Sequence, residues 1–159
     1  MIRMRLALAL LVVVTLTSSG SAADARSRLL GSWRLVTWVS FDEAGRSRPG
    51  NYDTGLVTYD AAGQMSAHLM RAQGRSSENP TTDAARAAAY STYIGYFGPF
   101  TVDEPKGTVV HHVVGSSFPH WVGSDQVRYF KLSEDGTTLE LSVKSGTRVT
   151  SILTWRRAE

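Results

Sequence analysis

Along most of the chain, apolar and β-branched residues run in short stretches separated by clusters of Gly, Asp, Ser and Pro. This pattern predicts strands joined by turns. Leu30–Phe41 carries GSWRLVTWVSF and reads as a first strand, followed by a turn-rich loop over Asp42–Asp53. Leu56–Tyr59 and Gln64–Met70 flank Asp60-Ala61-Ala62-Gly63, the signature of a hairpin. Arg71–Pro80 is polar and breaks the pattern. Further strands are expected at Phe100–Val102, Thr108–Gly115, Gln126–Leu132, Thr138–Val143 and Arg148–Trp155. Turns fall at Asp103–Gly107, Ser133–Gly136 and Lys144–Thr147. The longer loop Ser116–Asp125 holds Phe118-Pro119-His120-Trp121.

One segment has a different character. Thr82–Ile94 is Ala-rich, with Thr82 placed as an N-cap and Asp83 in the first turn, and it predicts a helix of about three turns. Gly95, Gly98 and Pro99 are expected to end it. About eight short strands and one short α-helix define an all-β chain. An open sheet of that size would leave long edges unpaired. Closure into an eight-stranded antiparallel up-and-down β-barrel removes them and leaves an interior that side chains fill or that holds one small ligand.

The first 23 residues stand outside this pattern. Arg3 and Arg5 precede an apolar run, Leu6–Leu16, which leads to small residues ending in Ser21-Ala22-Ala23. That order predicts a secretory signal over 1–23 and one domain over 24–159, secreted or periplasmic. The run is shorter than the roughly 20 residues a membrane span needs, and no second run follows. No integral membrane segment is therefore expected after signal removal. Removing Arg3 and Arg5 changes the charge picture: 17 basic residues become 15, against 14 acidic ones. With no basic stripe, nucleic-acid binding finds no support. The chain has no cysteine, which excludes disulfides, thiol catalysis and thiolate metal sites.

The residues also carry a family likeness. Gly31-Ser32-Trp33 resembles the Gly-x-Trp opening of lipocalins, and LLGSWRLVTWVSFDEAG is similar to the first strand of fatty-acid-binding proteins. GLVTYDAAGQMSAHLMR, an Ala/Tyr-rich helix, FTVDE and HHVVGSSFPHWVGSDQVRYF together resemble the bacterial and fungal lipocalin-like domain family, over roughly Leu29–Arg157. The resemblance implies a calycin-type eight-stranded barrel. It also implies a structural role for Gly31, for Trp33 closing one end, and for a late arginine packing across it, from Arg156 or its neighbour Arg157. It implies no defined activity, so function must be argued from the site.

A lipocalin-like barrel directs attention to polar residues on its strands. His111 and His112 are adjacent, so they point to opposite faces and cannot grip one ion. No metal site and no cofactor is expected. One of the two faces the lumen, and the pattern leaves open which. Tyr59, His68, His112, Trp121 and Arg128 are the candidate ligand contacts. Gln126, Arg128 and Phe130 share one face of their strand, and Val127, Tyr129 and Lys131 share the other. If the first set is inward, Arg128 brings a cation into the lumen with no obvious Asp or Glu beside it. An acidic ligand group would then be its partner. The aromatic loop around Trp121 fits a lid or a plug equally. Gly115-Ser116-Ser117 is not a nucleophile elbow, and no phosphate-binding glycine loop exists.

Three functions follow from these residues. The first is binding of a small, mostly apolar ligand, with or without an acidic head group. The second is an isomerase or cyclase using His111 or His112 with Tyr59 as general acid-base. The third is a structural module with a filled lumen.

Overall fold

The computed structural model describes residues 24–159, so the expected signal over 1–23 lies outside the described residues. Ten strands form one antiparallel sheet: β1 (Gly31–Phe41), β2 (Ser47–Pro49), β3 (Thr54–Tyr59), β4 (Gln64–Met70), β5 (Tyr93–Asp103), β6 (Thr108–His112), β7 (Gly115–Ser116), β8 (Asp125–Leu132), β9 (Thr138–Ser145) and β10 (Arg148–Arg157). Eight of them close on themselves in the order β1-β3-β4-β5-β6-β8-β9-β10, with β10 returning to β1 in the register Trp33↔Arg157 to Ser40↔Ser151. The short β2 extends the end of β1, and β7 pairs with β5 outside that ring.

The alternation of side chains places the core. Val57 and Tyr59 on β3, Met65, Ala67 and Leu69 on β4, and Leu139 and Leu141 on β9 all point inward and are buried. Their neighbours in sequence face outward, as a period of two requires. The expected hairpin is present. Gly63 has φ +87°, a conformation that glycine adopts without a Cβ clash, and the Asp60 carboxylate accepts from the Gln64 amide at 2.8 Å.

Three expectations are corrected. The second helix, α2, spans Asp83–Ser91 and stops before Ile94. Gly95, Gly98 and Pro99 do not end a helix but lie within β5, which begins at Tyr93. Glycine is required there by close approach: a Cβ on Gly98 would sit 1.9 Å from the His112 carbonyl oxygen. The apolar run Thr108–Gly115, expected as one strand, is split into β6 and β7. It leaves the ladder after His112, and Val113 and Val114 send their amides to Ser124 and Phe97 instead. A helix absent from the expectations, α1 (Ala25–Leu29), is capped by Asp24, whose carboxylate accepts from the Ser27 amide at 2.6 Å.

α1 closes one end of the barrel. Leu29 and Trp33 are fully buried, and the Trp33 indole donates to the Leu29 carbonyl at 2.8 Å. The guanidinium of Arg157 lies 4.1 Å from the Trp33 ring and donates to the carbonyls of Arg28, Leu30 and Gly136. It therefore satisfies carbonyls at the end of α1 that have no helical partner. Gly31, at φ +112°, passes so close that a Cβ would meet the Arg157 guanidinium at 3.0 Å. Arg156, named in the sequence reading for this structural role, is exposed: one step along a strand turns a side chain to the other face.

Candidate functional site

Beyond the closed end, the barrel encloses a cavity of about 260 Å³. Its walls are mostly apolar: Val57, Ala67, Leu69, Ile94, Leu141 and Leu153 come from the inward faces of β3, β4, β5, β9 and β10. Three tryptophans, Trp38, Trp121 and Trp155, add aromatic surface. The polar contributions are few: Tyr96, His111, Gln126, Arg128 and Ser151.

Of the residues singled out in the sequence, Arg128, Trp121 and His111 line this cavity. Arg128 is half-buried on β8, beside Gln126, while Val127 and Lys131 face outward. Its guanidinium donates to the Val127 carbonyl at 3.0 Å and to the Gln126 amide oxygen at 3.3 Å. Among the described residues it forms no ion pair with a carboxylate. Trp121 sits in a 3₁₀ turn, Pro119–Trp121, and packs edge-on against Tyr96 and Phe118.

Tyr59, His68 and His112 do not line it. Tyr59 is buried toward the closed end, edge-on to Phe100. His68 alternates with Ala67 and Leu69 on β4 and so points outward, where its Nδ1 lies 2.5 Å from the Tyr93 hydroxyl. His112 also faces out. Its Nε2 meets Thr101 Oγ1 at 3.0 Å and its Nδ1 meets Asp125 Oδ1 at 2.7 Å. A hydroxyl–imidazole–carboxylate chain has the connectivity of a nucleophilic triad. Here it lies on the outer wall of the barrel, and none of its members borders the cavity.

The lumen histidine is His111, 1% exposed on β6. Tyr59 Oη lies 2.8 Å from its Nε2 and Tyr96 Oη 3.0 Å from its Nδ1. Burial, then the positive charge of Arg128 and the neighbouring His112, hold the imidazole well below the usual histidine range. It is neutral at physiological pH. Burial also pushes the Tyr59 hydroxyl well above the ordinary tyrosine range. Two further polar atoms are conspicuous. The indole N–H groups of Trp38 and Trp155, both in the lining, are buried without a hydrogen-bond partner among the described residues.

The sequence reading missed Trp38, Tyr96, Ser151 and Trp155. For Tyr96 the error in helix length hid it, because Tyr96 lies just beyond the segment read as helical. Trp38 and Trp155 were legible in principle: each stands at an inward position of a strand already recognised.

A closed eight-stranded barrel with one end plugged and an apolar lumen carrying a few polar groups defines a calycin-type container. The chain belongs to the lipocalin-like domain family, whose sequence model matches residues 30–158. It is similar to a protein of Aspergillus oryzae named 4'-hydroxy-3'-methoxypropiophenone carrier protein, with 37% identity over 108 residues that span 58% of this chain and 96% of the relative. Among solved structures it is similar to a redesigned β-barrel, at 14% identity and a TM-score of 0.44, covering 85% of this chain and 96% of that one.

Proposed function

We propose that this protein is a non-catalytic carrier that holds a small, mostly apolar molecule in the barrel lumen, with an acidic or phenolic oxygen directed at Arg128. The observation that carries this reading is the Arg128 guanidinium, set in an apolar wall with only two neutral acceptors. A cation in such a wall is costly unless a counter-charge or strong acceptor meets it. The partnerless indole N–H groups of Trp38 and Trp155 add further donors. A lining rich in donors suits a ligand rich in oxygen acceptors.

The volume supports a small cargo. At about 260 Å³ the cavity falls just below the range of about 300–1,000 Å³ for drug-sized ligands, which favours a one-ring molecule over a long-chain lipid. The relative's name, a carrier of a hydroxy- and methoxy-substituted aromatic ketone, is consistent with that size and chemistry. Export also belongs to this proposal. It rests on the order of Arg3/Arg5, Leu6–Leu16 and Ser21-Ala22-Ala23, and N-terminal sequencing of the protein from its cell is expected to begin near Ala23 or Asp24.

Arg128→Gln tests the carrier reading. It is expected to weaken an acidic aromatic probe about tenfold, since a charge-assisted hydrogen bond is worth about 1.5–3 kcal/mol and each decade about 1.4 kcal/mol. A neutral probe of equal size should bind nearly as before. Lys131→Gln, on the outer face, should change neither. Equal losses for both probes would remove Arg128 as the anchor. Native mass spectrometry after incubation separates the remaining readings: an unchanged bound molecule supports a carrier, a chemically altered one an isomerase or cyclase, and none a filled structural module.

A further inference from the structure

Resting on that reading of the lumen, we infer that Tyr59, His111 and Tyr96 form a hydrogen-bond relay of fixed direction that presents the Tyr96 hydroxyl proton to a neutral oxygen of the ligand, such as a ketone or ether oxygen. A neutral imidazole has one ring nitrogen that donates and one that accepts. Each nitrogen of His111 faces a tyrosine hydroxyl, at 2.8 Å for Tyr59 and 3.0 Å for Tyr96. One tyrosine must therefore donate to the ring, and the other must accept from it. The one that accepts keeps a hydroxyl proton that needs another partner.

The two tyrosines differ in what else they can reach. Tyr59 is 1% exposed, does not line the cavity, and has His111 as its hydrogen-bond partner. A spare proton on Tyr59 would be orphaned in the core, where an unmatched donor is penalised by its lost hydration. Tyr96 borders the cavity. The lower-energy arrangement therefore has Tyr59 O–H donating to Nε2 and Nδ1–H donating to Tyr96 Oη. The Tyr96 proton is left for the lumen. His111 is depressed well below the usual histidine range, which keeps the ring neutral and the direction of the relay intact.

This gives the lumen two anchors of different kinds. Arg128 on β8 suits an anionic or phenolic oxygen. Tyr96 on β5, edge-on to Trp121, is a neutral donor beside an aromatic wall. A small aromatic molecule with an oxygen at each of two positions would meet both. His111 touches no ligand in this scheme and acts as a positioning residue.

Two measurements test it. Nitrogen-15 NMR of the histidine rings in the ligand-free protein, assigned through His111→Gln, is expected to show His111 as the Nδ1–H tautomer, with Nε2 unprotonated. An Nε2–H tautomer would reverse the relay and overturn the inference. The second measurement compares propiophenone with 2-phenyl-1-butene, in which a methylidene replaces the carbonyl oxygen. Tyr96→Phe should weaken the ketone roughly 3- to 10-fold, the span of an ordinary hydrogen bond, and leave the hydrocarbon within twofold. If both probes weaken alike, or neither does, Tyr96 is wall rather than anchor. Loss of Arg128 selectivity with the Tyr96 effect intact would fault only the acid-group reading. If wild-type protein binds neither probe, the ligand role of Tyr96 falls, and the tautomer alone then decides the direction of the relay.

Discussion

The two ends of the barrel are built on opposite rules. At the closed end, polar groups are matched: Trp33 donates to Leu29, and Arg157 serves three carbonyls while covering the indole. At the cavity end, donors are left over: Trp38, Trp155, Arg128 and, by the direction of the relay, Tyr96. Even the helices differ. α1 buries Ala25 and Leu29 under the barrel, whereas α2 buries no residue and is tied down through Tyr90, which donates to the Ser117 carbonyl and packs edge-on against Phe118. A matched end supplies stability. An unmatched end is where a ligand can supply what the chain does not.

The largest test of this contrast is a pair of tryptophan truncations. Trp33→Ala removes a fully buried ring and should cost about 3–5 kcal/mol in urea unfolding. Trp121→Ala removes a partly buried one and should cost under about 2 kcal/mol, while weakening any lumen probe. Equal stability losses would dissolve the distinction between plug and wall. The adjacent arginines give a narrower version. Arg157→Gln should cost about 1.5–3 kcal/mol, because it strips charged donors from three carbonyls. Arg156→Gln, on the outside, should stay within about 0.5 kcal/mol.

How far the sequence carried the structure follows the same divide. The strands were legible because each inward face alternates cleanly, as in Met65, Ala67 and Leu69, and because Asp-x-x-Gly and similar turns punctuate them. His68 could have been placed outward by that same alternation. The segment from Tyr93 to Pro99 was not legible. Its glycines mean helix termination in local terms, but Gly98 is there because it passes against the backbone of His112, on the neighbouring strand, and Gly95 lies under the Tyr93 ring. Tyr96 was hidden with it, and so was its half of the relay, whereas the pairing of Tyr59 with one of the two adjacent histidines was named from the sequence and falls on His111. Arg128 could be assigned a face relative to Val127 and Lys131, but not an orientation, because nothing local says which face of β8 is inside.

A pH titration sharpens the role of the buried relay. His111 has a folded pKa well below the usual value of 6.5, while in the unfolded chain it titrates near that value. Below pH 6.5 the unfolded state therefore binds a proton that the folded state refuses. Stability is whole above that pH and falls as pH drops toward the folded pKa, by up to about 1.4 kcal/mol per pH unit. The lowered carboxylates, such as Asp42, Asp53 and Asp135, act in a separate window, at and below their ordinary 3.8. The slope between pH 6 and 5 should be flatter in His111→Gln than in the wild type. An unchanged slope would place the titration elsewhere.

The most local effect is expected at α2, and it is the most discriminating. Thr82 Oγ1 accepts from the Ala85 amide at 3.1 Å and caps the helix. Thr82→Ala should cost about 1 kcal/mol of helix stability. In a helix that shares the core, that loss would appear in global unfolding. α2 shares none of it, since no residue from Asp83 to Ser91 is buried. The loss should instead appear as local opening, with amide exchange through α2 about fivefold faster, at about 1.4 kcal/mol per decade. Exchange at Leu139, Leu141 and Leu153 in the barrel wall should stay at the wild-type rate. The urea midpoint should not move. If the midpoint falls by the full amount, α2 unfolds together with the barrel, and the cavity end is as firmly built as the plug beneath it.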